Sequence, residues 1–238
     1  MPFDSDSGQA AHRERGQAMT TGPRRVNLVD AEGEMRALLK VAENGPMLIL
    51  FDAAGALAAV LIVSEDGPVL NLINAAMKVP VDLRVTDAGP HLRLRDAAGE
   101  LQADLDVDRN ATDLNLADAA SILRAVFDVP MDEMHLNLYD AADNLQTVLG
   151  MNNAGPTVEM RNARDKVQVV LVVGTANLEF LLHDTGGNLR ASLAVGKDEC
   201  RLHLCDATGK VRARLNVDKD GLDLGLFDKA GKPIWSAP

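Results

Sequence analysis

A repeat of fixed length constrains this 238-residue chain more than any other feature. The segments FDAAGALAAVLIV, RDAAGELQADLDV, ADAASILRAVFDV and CDATGKVRARLNV are variants of one theme. Anchoring each unit on its first acidic or amide residue gives Asp30, Asp52, Asn74, Asp96, Asp118, Asp140, Asn162, Asp184, Asp206 and Asp228. Every gap is 22 residues. A period of this size without insertions implies one supersecondary unit stacked on copies of itself.

The columns within the unit identify its conformation. Nine residues after the anchor stand Leu39, Leu61, Leu83, Leu105, Phe127, Leu149, Leu171, Leu193 and Leu215, and two further on a column of Val begins at Val41. Late in each unit come apolar pairs two apart, such as Leu48/Leu50 and Leu92/Leu94. A spacing of two puts side chains on one face of a strand. Intervening residues such as Gln102, Asp104, Asp106 and Asn115 are polar, which predicts one buried and one wet face.

Turn chemistry supports the hairpin. Asp-Ala-Ala-Gly or a variant precedes the first strand, and segments such as Glu43-Asn44-Gly45 precede the second. Asp side chains accept bonds from turn amides, and Gly takes the left-handed conformation freely. A four-residue loop Asp52–Gly55 would pair Phe51 with Ala56, Leu50 with Leu57 and Leu48 with Ala59. A loop at 42–45 would pair Val41 with Pro46 and Leu39 with Leu48. Both keep the apolar set on one side, which a loop of odd length would not.

These readings predict an all-β chain: an antiparallel meander of tandem 22-residue β-hairpins, closed as a flattened barrel or coil because an apolar face must be covered. A β-solenoid and a five-bladed propeller with two repeats per blade are the alternatives. Pairing of the C-terminal segment, where Trp235 takes a position usually held by Ala, with Val26–Val29 would close the sheet. Residues 1–25 are polar and aperiodic and are expected to be disordered, with residues 26–238 as a single β-repeat domain and Met19 as a candidate start.

Composition narrows the function classes. The net charge of −11 disfavours nucleic acid and anionic lipid as partners. Aromatics at 3% are too few for the girdles of an outer-membrane barrel, and no apolar run reaches the ~20 residues of a spanning helix. With no signal-like apolar segment and two cysteines, a cytoplasmic location is the expectation.

The pattern LxLxDxxGxxRAxLxV, present as LHLCDATGKVRARLNV at 202–217 and LRLRDAAGELQADLDV at 92–107, resembles tandem β-hairpin repeat proteins of bacteria. It covers about 210 residues and implies no activity. A looser likeness is to the YD repeats of Rhs-type proteins, which wind a hairpin sheet into a shell; their defining Tyr stands here only at Tyr139-Asp140.

Departures from the repeat mark the candidate sites. Apolar residues stand on the nominally wet face at Ile49, Phe51, Val60 and Ile62, and again at Val170, Val172 and Leu181, suggesting an interface for a protein partner or a second copy. The fourth turn position is Met77, Ser121, Asp143 or Asp165 instead of Gly, read as drift to residues that tolerate the turn less well. His91 and His135 lie two repeats apart, too far to share a metal ion, and Cys200 and Cys205 point to opposite faces. His91, Arg93 and Arg95 form a basic stripe expected to pair with Asp82, Asp104 and Asp106. No GxSxG, HExxH, P-loop or GxGxxG segment is present, and neither a catalytic residue, a cofactor nor a metal is expected. The chain reads as a non-enzymatic binding or scaffolding module. A self-assembling element and a carrier or enzyme with an enclosed site are the alternatives.

Overall fold

The computed structural model describes residues 25–237, and among these there are twenty strands and no helix. In chain order they are β1 Arg25–Val29, β2 Met35–Ala42, β3 Gly45–Phe51, β4 Leu57–Ser64, β5 Gly67–Leu72, β6 Val81–Val85, β7 Pro90–Arg95, β8 Leu101–Val107, β9 Ala111–Ala117, β10 Leu123–Pro130, β11 Met134–Tyr139, β12 Leu145–Asn152, β13 Gly155–Arg161, β14 Val167–Val173, β15 Asn177–His183, β16 Leu189–Gly196, β17 Glu199–Cys205, β18 Val211–Asp218, β19 Gly221–Phe227 and β20 Pro233–Ala237. Each pairs antiparallel with its sequence neighbours, giving one continuous meander. The expectations for residues 1–24, including Met19, lie outside the described residues.

Ten turns of one kind line one margin of the sheet. At Asp52 the backbone N–H donates to the Ala56 carbonyl at 2.9 Å, and the Gly55 N–H donates to the Asp52 carbonyl at 3.1 Å. The Asp52 carboxylate accepts the N–H groups of Ala54 and Ala56, both at 2.9 Å. The fourth residue is left-handed in all ten turns, with φ of 78° at Gly55 and also 59° at Met77, 58° at Ser121, 62° at Asp143 and 56° at Asp165. The four substitutions therefore keep the turn and bear its strain.

The pairing across these turns differs from the simple four-residue loop. Phe51 faces Leu57, the register then shifts, and Leu50 faces Ala59 while Leu48 faces Leu61. The left-handed residue adds one bulged position and the shift at Leu50/Phe51 adds another. Two extra residues move the register by two, so face assignments survive although the partners change. Such shifts recur at most turns on this margin, between Leu94/Arg95, Leu138/Tyr139 and Leu204/Cys205 for example. Bulges bend and twist the strand that carries them, so repeating them along one margin coils the ribbon.

On the opposite margin the register is as expected, with Leu39 facing Leu48 and Val41 facing Pro46. Gly45 there has φ 118°, and a Cβ on it would lie 1.9 Å from the Val63 carbonyl oxygen. Where Ala111 replaces this glycine, Asp108 closes a different loop, its carboxylate accepting the N–H groups of Asn110 at 2.6 Å and Ala111 at 2.8 Å.

The Arg of the repeat pattern ties successive units together. Arg36 grips its own anchor Asp30 at 2.5 Å and donates to the carbonyl of the next anchor, Asp52, at 2.6 Å. Gln168 donates likewise to the Asp184 carbonyl at 2.7 Å, and Arg190 to the Cys205 carbonyl at 3.1 Å.

The sheet does not close. β1 pairs only with β2, and β20 only with β19, so Trp235 faces Leu226 rather than Val26–Val29. The meander is as the repeat implies and the flattened barrel does not form. Nor, among the described residues, is the apolar face covered by a second layer. Ala37, Leu38 and Cys205 are the buried apolar residues, while Leu39, Val41, Leu61, Leu149 and Leu204 are exposed. Within this ribbon every described strand reaches only its neighbours.

Candidate functional site

The Leu/Val face is built from straight rows. One row starts at Val26 and runs Leu39, Leu48, Leu61, Leu70 and Leu83, then through Phe127 and Leu149 to Leu224 and Ala237, one residue per strand. A second begins at Leu28, passes Ala37, Leu50, Ala59 and Leu72, and ends at Leu226 and Trp235. Neither row contains a charged residue, and Thr147 is the one polar member. Antiparallel partners of this kind are ~4.5–5.5 Å apart, so the rows are continuous contact lines. Several members are exposed, Leu39 at 51%, Leu204 at 47% and Met160 at 46%, while Leu48, Leu70, Phe127 and Leu224 are half-buried.

The opposite face is mixed. Its central row steps 11 residues per strand: Asn27, Leu38, Ile49, Val60, Asn71, Asp82, Arg93, Asp104, Asn115 and Val126, and onward to Ser236. Ile49 faces Leu38 and Val60, and Ile62 in the next row faces Met47 and Val69, so these residues form one patch with Phe51 at its margin. Val170 faces Leu181, and Val172 faces Glu179 and Thr157, forming a second patch. All seven are half-buried. The patches sit on β3–β4 and β14–β15, some ten strands and ~50 Å apart along the ribbon.

Between them lies an ionic stretch. Asp82 is buried at 7% exposure and accepts two 2.7 Å bonds from Arg84, which hold its carboxyl below the usual carboxylate range. His91 reaches Asp104 at 3.1 Å and Asp106 at 3.4 Å, and Arg93 reaches Asp104 at 3.4 Å. The basic stripe therefore finds carboxylate partners, while Arg95 donates instead to the Gly99 carbonyl. One row reads His91, Asp106, Asp113, Asp128, His135. Asp113 faces Asp128, and this like-charged neighbour raises its carboxyl above the ordinary range. Among the described residues no three His, Cys, Asp or Glu side chains are placed to hold one metal ion.

The turn carboxylates are shifted the other way. Asp118 and Asp140 are lowered chiefly by the backbone N–H groups of Ile122 and Asn144, and Asp206 chiefly by the Thr208 hydroxyl. Their chemistry is that of turn locks. The margin hollows are shallow; one of about 330 Å³ is lined by Arg95, Glu100, Gln102, Asn115 and Ser121. Both cysteines are free, Cys205 buried and Cys200 half-buried.

The seven candidate interface residues all stand on the mixed face, where an apolar side chain departs from the repeat, while the Leu/Val face is apolar by the repeat itself. The signal for the larger surface was present in the columns: two rows without a charge across the whole repeat array.

No family model matches the chain, and no curated protein matches it. Among solved structures, it aligns with a chain of the TcdB2-TccC3-Cdc42 crystal structure at 10% identity and a TM-score of 0.20, covering 88% of this chain and 16% of that one. A chain of the TcdB2-TccC3 structure aligns at 12% identity and a TM-score of 0.20, over 88% and 16%. The chain thus spans about one-sixth of the length of those two. A functionally unknown protein from Desulfotomaculum acetoxidans DSM 771 aligns at 10% identity and a TM-score of 0.19, over 90% of this chain and 92% of that one.

Proposed function

We propose that this chain is a non-enzymatic protein-binding or scaffolding module whose working surface is the Leu/Val face. One observation carries the reading: two uncharged rows cross all twenty strands, with Leu39, Leu61, Leu94, Leu149 and Leu204 among their exposed members. Strands ~4.8 Å apart make that face about 90 Å long, and the two rows with a third apolar line beside them, through Val41, Pro46, Val63 and Pro68, make it about 20 Å wide, a footprint of roughly 1,800 Å². The largest apolar patch of an ordinary monomer is about 300–600 Å², and larger ones mark interaction sites. The mixed face carries the charge of the ribbon, with Asp82–Arg84 and Arg93–Asp104 among its ion pairs.

Site-specific photocrosslinking in cells producing the full chain tests this. A benzophenone amino acid at Leu149, on the Leu row, should give protein adducts, while one at Val148, on the other face of the same strand, should give few. Equal yields at both positions, or none at Leu149, overturn the proposal.

A further inference from the structure

Resting on that reading, we infer that the occupant of the Leu/Val face is a second copy of this chain, packed face to face as a two-layer sandwich. The first argument is area. A compact protein of 25.4 kDa exposes about 10,300 Å². This chain exposes 16802 Å². Setting aside the residues outside the described span, about 4,000 Å² at the extended-chain limit, leaves about 12,800 Å² against roughly 9,500 Å² for a compact body of the remaining ~22.6 kDa, an excess of roughly 3,300 Å². Burying ~1,800 Å² on each of two copies gives about 3,600 Å² in total, within the range of obligate homodimers, ~2,000–5,000 Å².

The second argument is shape. The face is a ribbon with an apolar corrugation every two strands, ~9.6 Å, kept over its whole length. A compact globular partner covers a fraction of it. The first 24 residues of the chain carry charged or amide side chains every few positions and lack the period. A second copy has the same length, the same period and the same twist, and sheets pack face to face ~10 Å apart in just this way. The uncharged rows let two chains of net charge −11 meet while their carboxylates stay on the outer faces and margins.

The third argument is closure. A two-fold axis through the middle of the ribbon covers both copies at once and ends assembly at two. It lays β1 over β20, so that Trp235, 48% exposed in the single chain, meets the partner subunit's Val26 and Leu28, here 49% and 60% exposed. Trp235 is the one tryptophan of the sequence, so its emission reports this contact alone.

The test is sedimentation velocity of the purified full chain at micromolar concentration, with Trp235 emission in parallel. A dimer of twice the 25.4 kDa chain mass is expected, with emission shifting red on dilution into monomer. The double variant Leu149→Glu/Leu171→Glu should be monomeric with its β-sheet circular dichroism retained. The matched variant Val148→Glu/Val170→Glu on the opposite face should remain dimeric. Four results overturn the inference: a wild-type monomer at tens of micromolar, open-ended filaments joined through β1 and β20, a dimer that survives the Leu variant, or a dimer lost in the Val variant. A wild-type monomer that still crosslinks to other proteins through position 149 removes the second copy and leaves the proposed function standing.

Discussion

Met77→Gly should stabilise the protein, and the size of the effect follows from the backbone. Met77 holds the left-handed position of its turn with φ 59°, and its side chain is 60% exposed. An L residue in that region pays about 1–2 kcal/mol, because its Cβ approaches the following carbonyl. Glycine avoids this but loses about 0.5–1 kcal/mol of additional chain entropy on folding. The exposed Met side chain has little packing to lose. The net gain is about 0.5–1 kcal/mol, read as a higher denaturation midpoint at unchanged slope in urea. Native-state hydrogen exchange should show slower local opening at the residue-77 amide, which donates to the Asn74 carbonyl at 2.9 Å. Asp143→Gly should gain less, since Asp tolerates this region better. Asp165→Gly should gain least, because it also removes the 2.8 Å Arg161–Asp165 ion pair. The converse control is Gly55→Ala, where a Cβ meets nothing within 4 Å and the cost is conformational alone, about 1 kcal/mol. A destabilised Met77→Gly together with a neutral Gly55→Ala would refute the strain argument.

Gly45→Ala should cost more than Gly55→Ala, about 2–4 kcal/mol, because its Cβ would collide with the Val63 carbonyl 1.9 Å away; urea denaturation of the two variants side by side decides it. Asp113→Asn should raise the melting temperature at pH 7. The folded-state pKa of Asp113 lies above its unfolded value, so its ionisation opposes folding, and the advantage of the variant should shrink as pH falls toward 3.8. Wild type should lose stability on further acidification. Asp118, Asp140 and Asp184 have lowered folded-state values, so their contribution is present above 3.8 and is lost as pH drops through those values, as calorimetry across pH 2–5 would show. Arg124→Ala should lower the urea midpoint only slightly through the loss of its 2.5 Å pair with Asp118, with the largest rise in amide exchange at Ser121 and Ile122.

The parts of this fold that were legible in the sequence are those fixed by local parity. Alternation at Leu92 and Leu94 names a strand and a face, and Asp with a left-handed fourth residue names a turn, whatever the chain does elsewhere. The register at the Asp turns was less visible, because the left-handed residue and the bulge at Leu50/Phe51 together add two positions and so leave every side chain on its face. Closure was least visible. It depends on curvature accumulated over twenty strands, and no single residue encodes it. The exposure of the Leu row depends on that closure, whereas Ile49 and Val170 stand out locally as apolar departures on the other face, where they are half-buried.

The central row that steps from Asn27 to Leu38 to Ile49, 11 residues at a time, makes length a free variable of this architecture. Excising residues 96–117 would join Arg95 to Asp118 and place Ala125 where Ala103 had faced Leu94, leaving every remaining row unbroken. Each unit added or removed changes the ribbon by about 9.6 Å. Evolution can thus cut such a protein to measure by whole-unit duplication or loss, like links of a chain, and a partner that must match it end to end would have to change by the same number of units.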